Sequence, residues 1–278
     1  MKRTGLVLVV CATALLGACS VTRQRPPPGP LPSPQMEPVP PPTTRQPGGP
    51  PDINSVPDAV PKDEPRSKRG NPPFYTVLGK RYSVLDSADG YLERGVASWY
   101  GPTFHGESTS TGESYDMYAM TAAHKTLPLP AYARVTNLSN GRSIVVRIND
   151  RGPFAKNRII DLSYTAAAKL DMLRDGTALV EVRTLRADSN DNFRRSDETP
   201  PQTLYVQAGA FAEEANAKRL VAHLQSGGVT NAFVQTPQAS GPRVFRVRAG
   251  PVASTVEFDR LAARLAKLGV TEVRLATD

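Results

Sequence analysis

The sequence predicts two β-containing domains carried behind an unstructured, proline-rich segment. The first is a small, mainly β barrel over residues 74–187, and the second an α+β domain over residues 202–278. Three observations carry this reading. Most of the 27 prolines crowd between Pro26 and Pro73, where apolar residues are too sparse to offset the entropy of ordering. Beyond them come short runs of alternating polar and apolar residues broken by Gly and Asn, the pattern of tight β structure. After residue 203 the rhythm changes to strand, helix, strand, twice over.

In the barrel region, Gly95 to Tyr100 reads as a strand. Ala131 to Leu138 alternates, Asn140-Gly141 is a hairpin turn signal, and Ser143 to Asn149 returns with Ile144, Val146 and Ile148 on one face. Ser163 is placed to cap a short helix from Tyr164 to Leu170, and Ala178 to Leu185 alternates again. Phe74 to Tyr91 is apolar enough to pack against this domain as an arm.

A polar linker, residues 188–201, leads to the second domain. Leu204 to Gly209 is a strand. Ala212 to Gln225 is a helix with Ala217, Leu220, Val221 and Leu224 in its apolar stripe, ended by Gly227-Gly228. Val229 to Gln235 and Arg243 to Ala249 flank a turn containing Gly241-Pro242. Ser254 and Glu257 form a capping box that opens a helix with Phe258, Leu261, Ala262, Leu265 and Leu268 inward, and Val270 to Ala276 closes the chain. The order βαββαβ implies a four-stranded antiparallel sheet with two helices on one face.

The first residues read as a lipoprotein leader, 1–18. Lys2 and Arg3 precede an apolar run, Leu6 to Leu16, too short to span a bilayer. It ends in Leu16-Gly17-Ala18-Cys19, the pattern of a bacterial lipobox, which makes Cys19 the lipidation site and Ser20 a residue that favours outer-membrane sorting. Residues 19–73 are then the lipidated Cys and a disordered tether, reaching about 150 Å if its fifty or so residues are fully extended at roughly 3.1 Å each. Of the two cysteines, Cys11 leaves with the leader and Cys19 becomes the anchor, so none remains for a disulfide or thiolate metal site. The net charge of +8, less Lys2 and Arg3, stays mildly positive and suits an acidic wall or membrane surface; no nucleic-acid-binding motif is present.

The chemistry concentrates in Ser98 to His124 and Arg147 to Phe154, which hold the one Trp and two of the three His. Glu113, Asp116, His124 and Asp150 are the candidate ionisable groups. Glycosidic cleavage needs an acid for the leaving oxygen and a base for the attacking hydroxyl, and two carboxyl groups in different environments, or one acting twice, supply both. His124 could orient or charge-tune a carboxylate. Each residue also has a plainer reading: Asp150 as the cap of the turn at Asn149-Asp150-Arg151-Gly152-Pro153, and Glu113 as a solvated turn acid after Thr111-Gly112. A zinc site from His105, His124 and an acid lacks any His-Glu-x-x-His spacing, so neither metal nor cofactor is expected.

Ala97-Ser-Trp-Tyr-Gly101, Phe104-His-Gly106, Thr111-Gly-Glu113, Tyr115-Asp116, Met120 to Pro130, Arg147 to Phe154 and Arg158-x-x-Asp161-Leu-Ser163 occur in an order that resembles the rare lipoprotein A (RlpA) family of septal ring lytic transglycosylases, from about Phe74 to about Leu185. The resemblance implies a double-psi β-barrel, as in expansins and the membrane-bound lytic transglycosylase A group. It also implies cleavage between N-acetylmuramic acid and N-acetylglucosamine without water, the muramic acid O6 closing on its own anomeric carbon. On the matching positions, Asp150 falls on the catalytic Asp, Glu113 and His124 on residues tied to activity, and Asp116 on a weaker match. Division-machinery proteins become a partner class, and septal enrichment in the envelope the expected location. A non-catalytic, glycan-binding or expansin-like wall lipoprotein is the alternative.

Tyr205-Val-Gln-Ala-Gly-Ala-Phe211 and Phe245-Arg-Val-Arg-Ala-Gly-Pro251 look like a SPOR domain, whose family binds glycan strands denuded of stem peptides. The resemblance points to Gln207, Phe211, Arg246 and Arg248 as glycan-binding residues. Arg246 and Arg248 lie two apart, so they share a strand face and could meet lactyl carboxylates.

Overall fold

A computed structural model describes residues 51–187, 203–236 and 244–277. The leader, Cys19, residues 188–201 and the Gly241-Pro242 turn lie outside the described residues.

The first described strands form an antiparallel hairpin, β1 (Phe74–Val77) and β2 (Lys80–Ser83). Six further strands follow: β3 (Leu92–Trp99), β4 (Thr121–His124), β5 (Ala131–Asn137), β6 (Ser143–Asp150), β7 (Arg158–Leu162) and, after helix α1 (Tyr164–Lys169), β8 (Thr177–Leu185). They close in the order β3-β7-β4-β6-β5-β8. Two neighbouring pairs, β3 with β7 and β4 with β6, are parallel, and the other four are antiparallel. This is the expected double-psi barrel, closed by six strands. Ile144, Val146 and Ile148 point into its core with Val135, Val180, Val182, Ile160 and Leu162, all buried, while the intervening side chains face outward. Ser163 caps α1 by accepting from the N–H of Ala166 at 3.3 Å.

The second domain runs β9 (Leu204–Phe211), α2 (Glu214–Ser226), β10 (Ala232–Gln235), β11 (Phe245–Ala249), α3 (Thr255–Lys267) and β12 (Arg274–Thr277). Its antiparallel sheet has the order β10-β11-β9-β12. Ala217, Leu224, Phe258, Ala262 and Leu265 of the two helices bury against Val206, Val247 and Leu275 of the sheet. The capping box is present: Ser254 Oγ accepts from Glu257 N at 3.2 Å, and Glu257 Oε2 reaches back to Ala253 N at 2.8 Å.

The two folded parts are joined by contacts as well as by the chain. Val96 and Leu179, on the outer face of the barrel, are buried in the apolar cluster of the second domain. Arg158 pairs with Asp259 of α3 through two hydrogen bonds, at 3.1 and 2.9 Å. Thr177 and Thr255 hydroxyls meet at 2.9 Å, and Arg94 donates to Thr277 at 2.8 Å.

One boundary differs from the sequence expectation. The tether was expected to run to residue 73, yet residues 52–73 lie along the barrel. Asp58 Oδ2 accepts from Val145 N at 3.0 Å, Ala59 N donates to Val145 O at 3.1 Å, and Ser67 N donates to Leu129 O at 2.8 Å. Asn71 exchanges two hydrogen bonds with the backbone of Leu129, at 2.7 and 2.8 Å. Such specific backbone and side-chain bonds supply what the proline-rich composition does not show.

Candidate active site

The end of β6 and the loop before β4 build the site together. Asp150 ends β6, where the register against β4 shifts between Ala122 and Ala123. Its Oδ1 accepts three hydrogen bonds: from Ser110 N at 2.7 Å, Ser110 Oγ at 2.6 Å and Arg151 N at 2.7 Å. All fall on one oxygen, which leaves Oδ2 for a proton or a ligand. Ser110 is fixed in turn by Arg151 N, which donates to its hydroxyl at 3.1 Å.

Three residues further along the same loop, Glu113 fastens to the outward face of β6. It accepts from Asn149 Nδ2 at 2.8 Å and from Arg147 Nη1 and Nη2 at 2.8 to 3.0 Å. Burial pushes its pKa up, but the Arg147 and Asn149 hydrogen bonds outweigh it and hold the carboxyl below the usual value. Glu113 is therefore ionised at neutral pH. Ser110 and Glu113 thus bind consecutive stretches of one strand, and they put two carboxyl groups in contrasting surroundings.

His124 sits differently from the sequence reading. It is 2% exposed. Its Nδ1 accepts from Thr126 N at 3.2 Å and Leu127 N at 3.0 Å, and its Nε2 lies 3.0 Å from the hydroxyl of Tyr91, which donates to Glu93. Burial, then Arg151 and Lys125, push its pKa down to about 3, so it is neutral. The carboxylate nearest it is Glu93, at 4.0 Å, and no bond joins its ring to Glu113 or Asp150. The expectation that it charge-tunes a site carboxylate is corrected on that ground. It braces the turn after β4, and it reaches the site through its carbonyl, which accepts from Arg151 Nη1 at 3.1 Å. Arg151 also holds Leu127 O at 2.5 Å, and burial pushes its pKa down to about 10.

Asp116 is exposed in a turn, accepting from Tyr118 N at 2.9 Å with His105 Nδ1 at 3.7 Å. It makes no bond to Glu113, Asp150 or their partners. No cluster of three or more His, Cys, Asp or Glu able to hold a metal ion occurs among the described residues.

Several residues at the site carry no role in the sequence reading: Ser110, Arg147, Asn149 and Asp161. Strand alternation could have found two of them, since Arg147 and Asn149 lie two apart on the face opposite Ile148. Asp161 is mostly buried on β7 and accepts from the hydroxyl of Ser98. Burial pushes its pKa up against the Ser98 hydrogen bond, and the charge of Asp150 adds to the rise. A methyl group at Gly152, whose φ is +144°, would lie 3.8 Å from Asp161 Oδ2, so Asp161 lies directly under the turn that follows Asp150.

In the second domain, Gln207 stands opposite Arg248 on one side and Arg274 on the other, on the sheet face away from Val206 and the helices. Arg248 is 6% exposed and lies 5.9 Å from the ring of Tyr205, which meets Phe233 edge-on. Arg246 folds back to donate to Val244 O at 3.4 Å. Phe211 is a correction: it stands opposite Phe245 and packs on the helix side, with the core. A methyl group at Gly209 would come within 2.8 Å of the Phe211 ring and 3.2 Å of Leu220, which fixes that ring against α2.

A family described as lytic transglycolase matches residues 92–182, and the SPOR domain family matches residues 200–274. The endolytic peptidoglycan transglycosylase RlpA of Vibrio cholerae is 42% identical over 184 residues, covering 66% of this chain and 70% of that one. This chain belongs to the RlpA family. The Campylobacter jejuni member is 40% identical over 204 residues, covering 66% of this chain and 74% of that one. A Pseudomonas aeruginosa (strain PAO1) member is 49% identical over 166 residues, covering 60% of this chain, and of its own length this chain spans about half, 47%.

Proposed function

We propose that this chain is an endolytic lytic transglycosylase of peptidoglycan, cutting the bond between N-acetylmuramic acid and N-acetylglucosamine and leaving 1,6-anhydro ends. The observation that carries the reading is the contrast between the two carboxyl groups. Glu113 is held ionised by Arg147 and Asn149, so it is a poor proton donor and a fitting partner for positive charge at the anomeric carbon. The proton for the leaving oxygen then falls to Asp150, whose Oδ2 makes none of the bonds that fix Oδ1. After the bond breaks, the same oxygen takes the proton of the muramic acid O6 hydroxyl as that oxygen closes on the anomeric carbon, and Asp150 returns to its starting state. His124 and Arg151 position the Asp150 turn without touching the sugar.

The SPOR domain would present Gln207 and Arg248 beside Tyr205 to glycan strands denuded of stem peptides, and Arg246 at the same face. Cys19 would anchor the chain to the periplasmic side of the outer membrane, with the enzyme enriched at the septum. The family's named activity and the SPOR match support this reading.

The test incubates the full chain in detergent with stem-peptide-free glycan strands and reads the new ends by mass spectrometry. Anhydro ends are expected. Reducing ends would make it a hydrolase, and binding without products would make it a wall-binding protein.

A further inference from the structure

Residues 52–73 form a strap that crosses the barrel and delivers one acid to the site. Asp58 and Ala59 clamp its start to Val145 on β6, with Lys169 Nζ a further 3.0 Å from Asp58. Ser67 and Asn71 clamp its end to Leu129, and Arg151 Nε donates to Gly70 O at 2.8 Å. Between the clamps lies Glu64. Its two oxygens accept from Arg147, Oε1 from Nε at 3.0 Å and Oε2 from Nη2 at 2.8 Å. Arg147 spends its remaining donors on Glu113, and the hydroxyl of Tyr132 donates to Glu64 from the other side. Every nitrogen of the guanidinium is thus held by a carboxylate, and the planar fork is gripped along two edges.

We infer that Glu64 is a positioning residue for the reaction site: it fixes the plane of Arg147, and through Arg147 the orientation of Glu113. The inference rests on the reading of Glu113 as part of that site. Arg147 alone could swing about its long side chain while staying paired with Glu113. The bond from its Nε to Glu64 removes that freedom, because Nε lies at the root of the guanidinium. The site is therefore assembled from the barrel and from the segment that precedes it. A protein trimmed to the barrel and SPOR domains would carry Glu113 on a loosely held arginine.

The experiment compares wild type, Glu64→Gln, Glu64→Asp and Glu64→Ala as full chains in detergent. Two quantities are read: kcat and KM on stem-peptide-free glycan strands, and the NMR order parameter of the Arg147 Nε–H. In Glu64→Gln and Glu64→Ala, kcat should fall about tenfold with KM within about twofold, and Glu64→Asp should recover part of the loss. The order parameter should drop from a rigid value of about 0.85 to below about 0.6 in the Ala variant. Adding Glu64→Gln to Glu113→Gln should cost nothing further, since both act through one unit. An unchanged order parameter with unchanged kcat overturns the inference. So does an equal loss in both backgrounds, which would mark a general loss of fold. If wild type makes no product, the functional reading fails instead, and the order parameter alone decides whether Glu64 positions Arg147.

Discussion

Ser110 donates both its backbone N–H and its hydroxyl to the same oxygen of Asp150, at 2.7 and 2.6 Å. One short residue thereby fixes the rotation of the carboxyl group and distinguishes its two oxygens, Oδ1 held and Oδ2 outside those bonds. In the proposed reaction Asp150 gains negative charge as it gives up its proton, and a hydrogen bond to a charged group contributes about 1.5–3 kcal/mol. If a similar share is retained in the transition state, removing the hydroxyl costs roughly tenfold or more in rate. Ser110→Ala should therefore lower kcat about tenfold and leave KM and the fold little changed, because the backbone N–H bond remains. Steady-state kinetics with a thermal melt check this.

Acid should weaken the fold through the paired carboxylates. Glu113 and Glu64 both have folded pKa values depressed below the ordinary 4.5, so each contributes stability that is present above that value and lost as pH falls through the folded pKa. For Glu64 the main cause is the Arg147 hydrogen bond; for Glu113, Arg147 and Asn149 overcome the opposing effect of burial. The melting temperature should fall steeply below pH 4.5, and the double variant Glu64→Gln/Glu113→Gln should show a flatter fall over the same range. Melts between pH 2.5 and 7, set on the scale of roughly 4 for carboxyl groups, measure it.

Asp161 should behave in the opposite sense. Its folded pKa is raised above 3.8, chiefly by burial, so its contribution is present below that pH and lost as pH rises through the folded value. Asp161→Asn removes the buried charge while its amide oxygen can still accept from Ser98. The variant should match wild type in acid and melt higher than wild type toward neutral pH. A wild type that stays the more stable at neutral pH would contradict this.

Among the contacts that join the two domains is Val96, which is fully buried though it lies on the outer face of β3. Val96→Asp would bury an unpaired charge between them, which is strongly unfavourable. The variant should show a larger radius of gyration by small-angle scattering and a SPOR transition separated from that of the barrel. Identical scattering from both proteins would mean that Val96 does not hold the domains together.

How much of this was legible in the residues depends on range. The β5–β6 hairpin announces itself, because Asn140-Gly141 sits between two alternating runs and all the information is local. Strands β4 and β7 do not: each is four or five residues long and held between two neighbours, so its apolar residues show no useful period. Phe211 misled for a definable reason. Strict alternation from Tyr205 and Gln207 puts it on the open sheet face, but the register of β9 against β11 shifts at Ala208, so that Val247 faces Gly209 while Arg248 faces Gln207. The extra residue moves everything after it to the other face. Glu64 was hidden most deeply. It lies in a proline-rich stretch whose composition reads as tether, and its partners Tyr132 and Arg147 are 68 and 83 residues away. Asp150 and Glu113 were candidates as ionisable groups and were given roles through family resemblance, while Ser110, whose bonds reach across 40 residues, needed the fold.

The most direct measurement compares wild type with Asp150→Asn on stem-peptide-free glycan strands, reading anhydro ends by mass spectrometry and strand binding by co-sedimentation. The amide can still accept the Ser110 bonds but cannot give and retake a proton. The account predicts retained binding and loss of anhydro ends by at least about a hundredfold, the lower range of general acid–base catalysis. Anhydro ends formed at an undiminished rate by Asp150→Asn would contradict it.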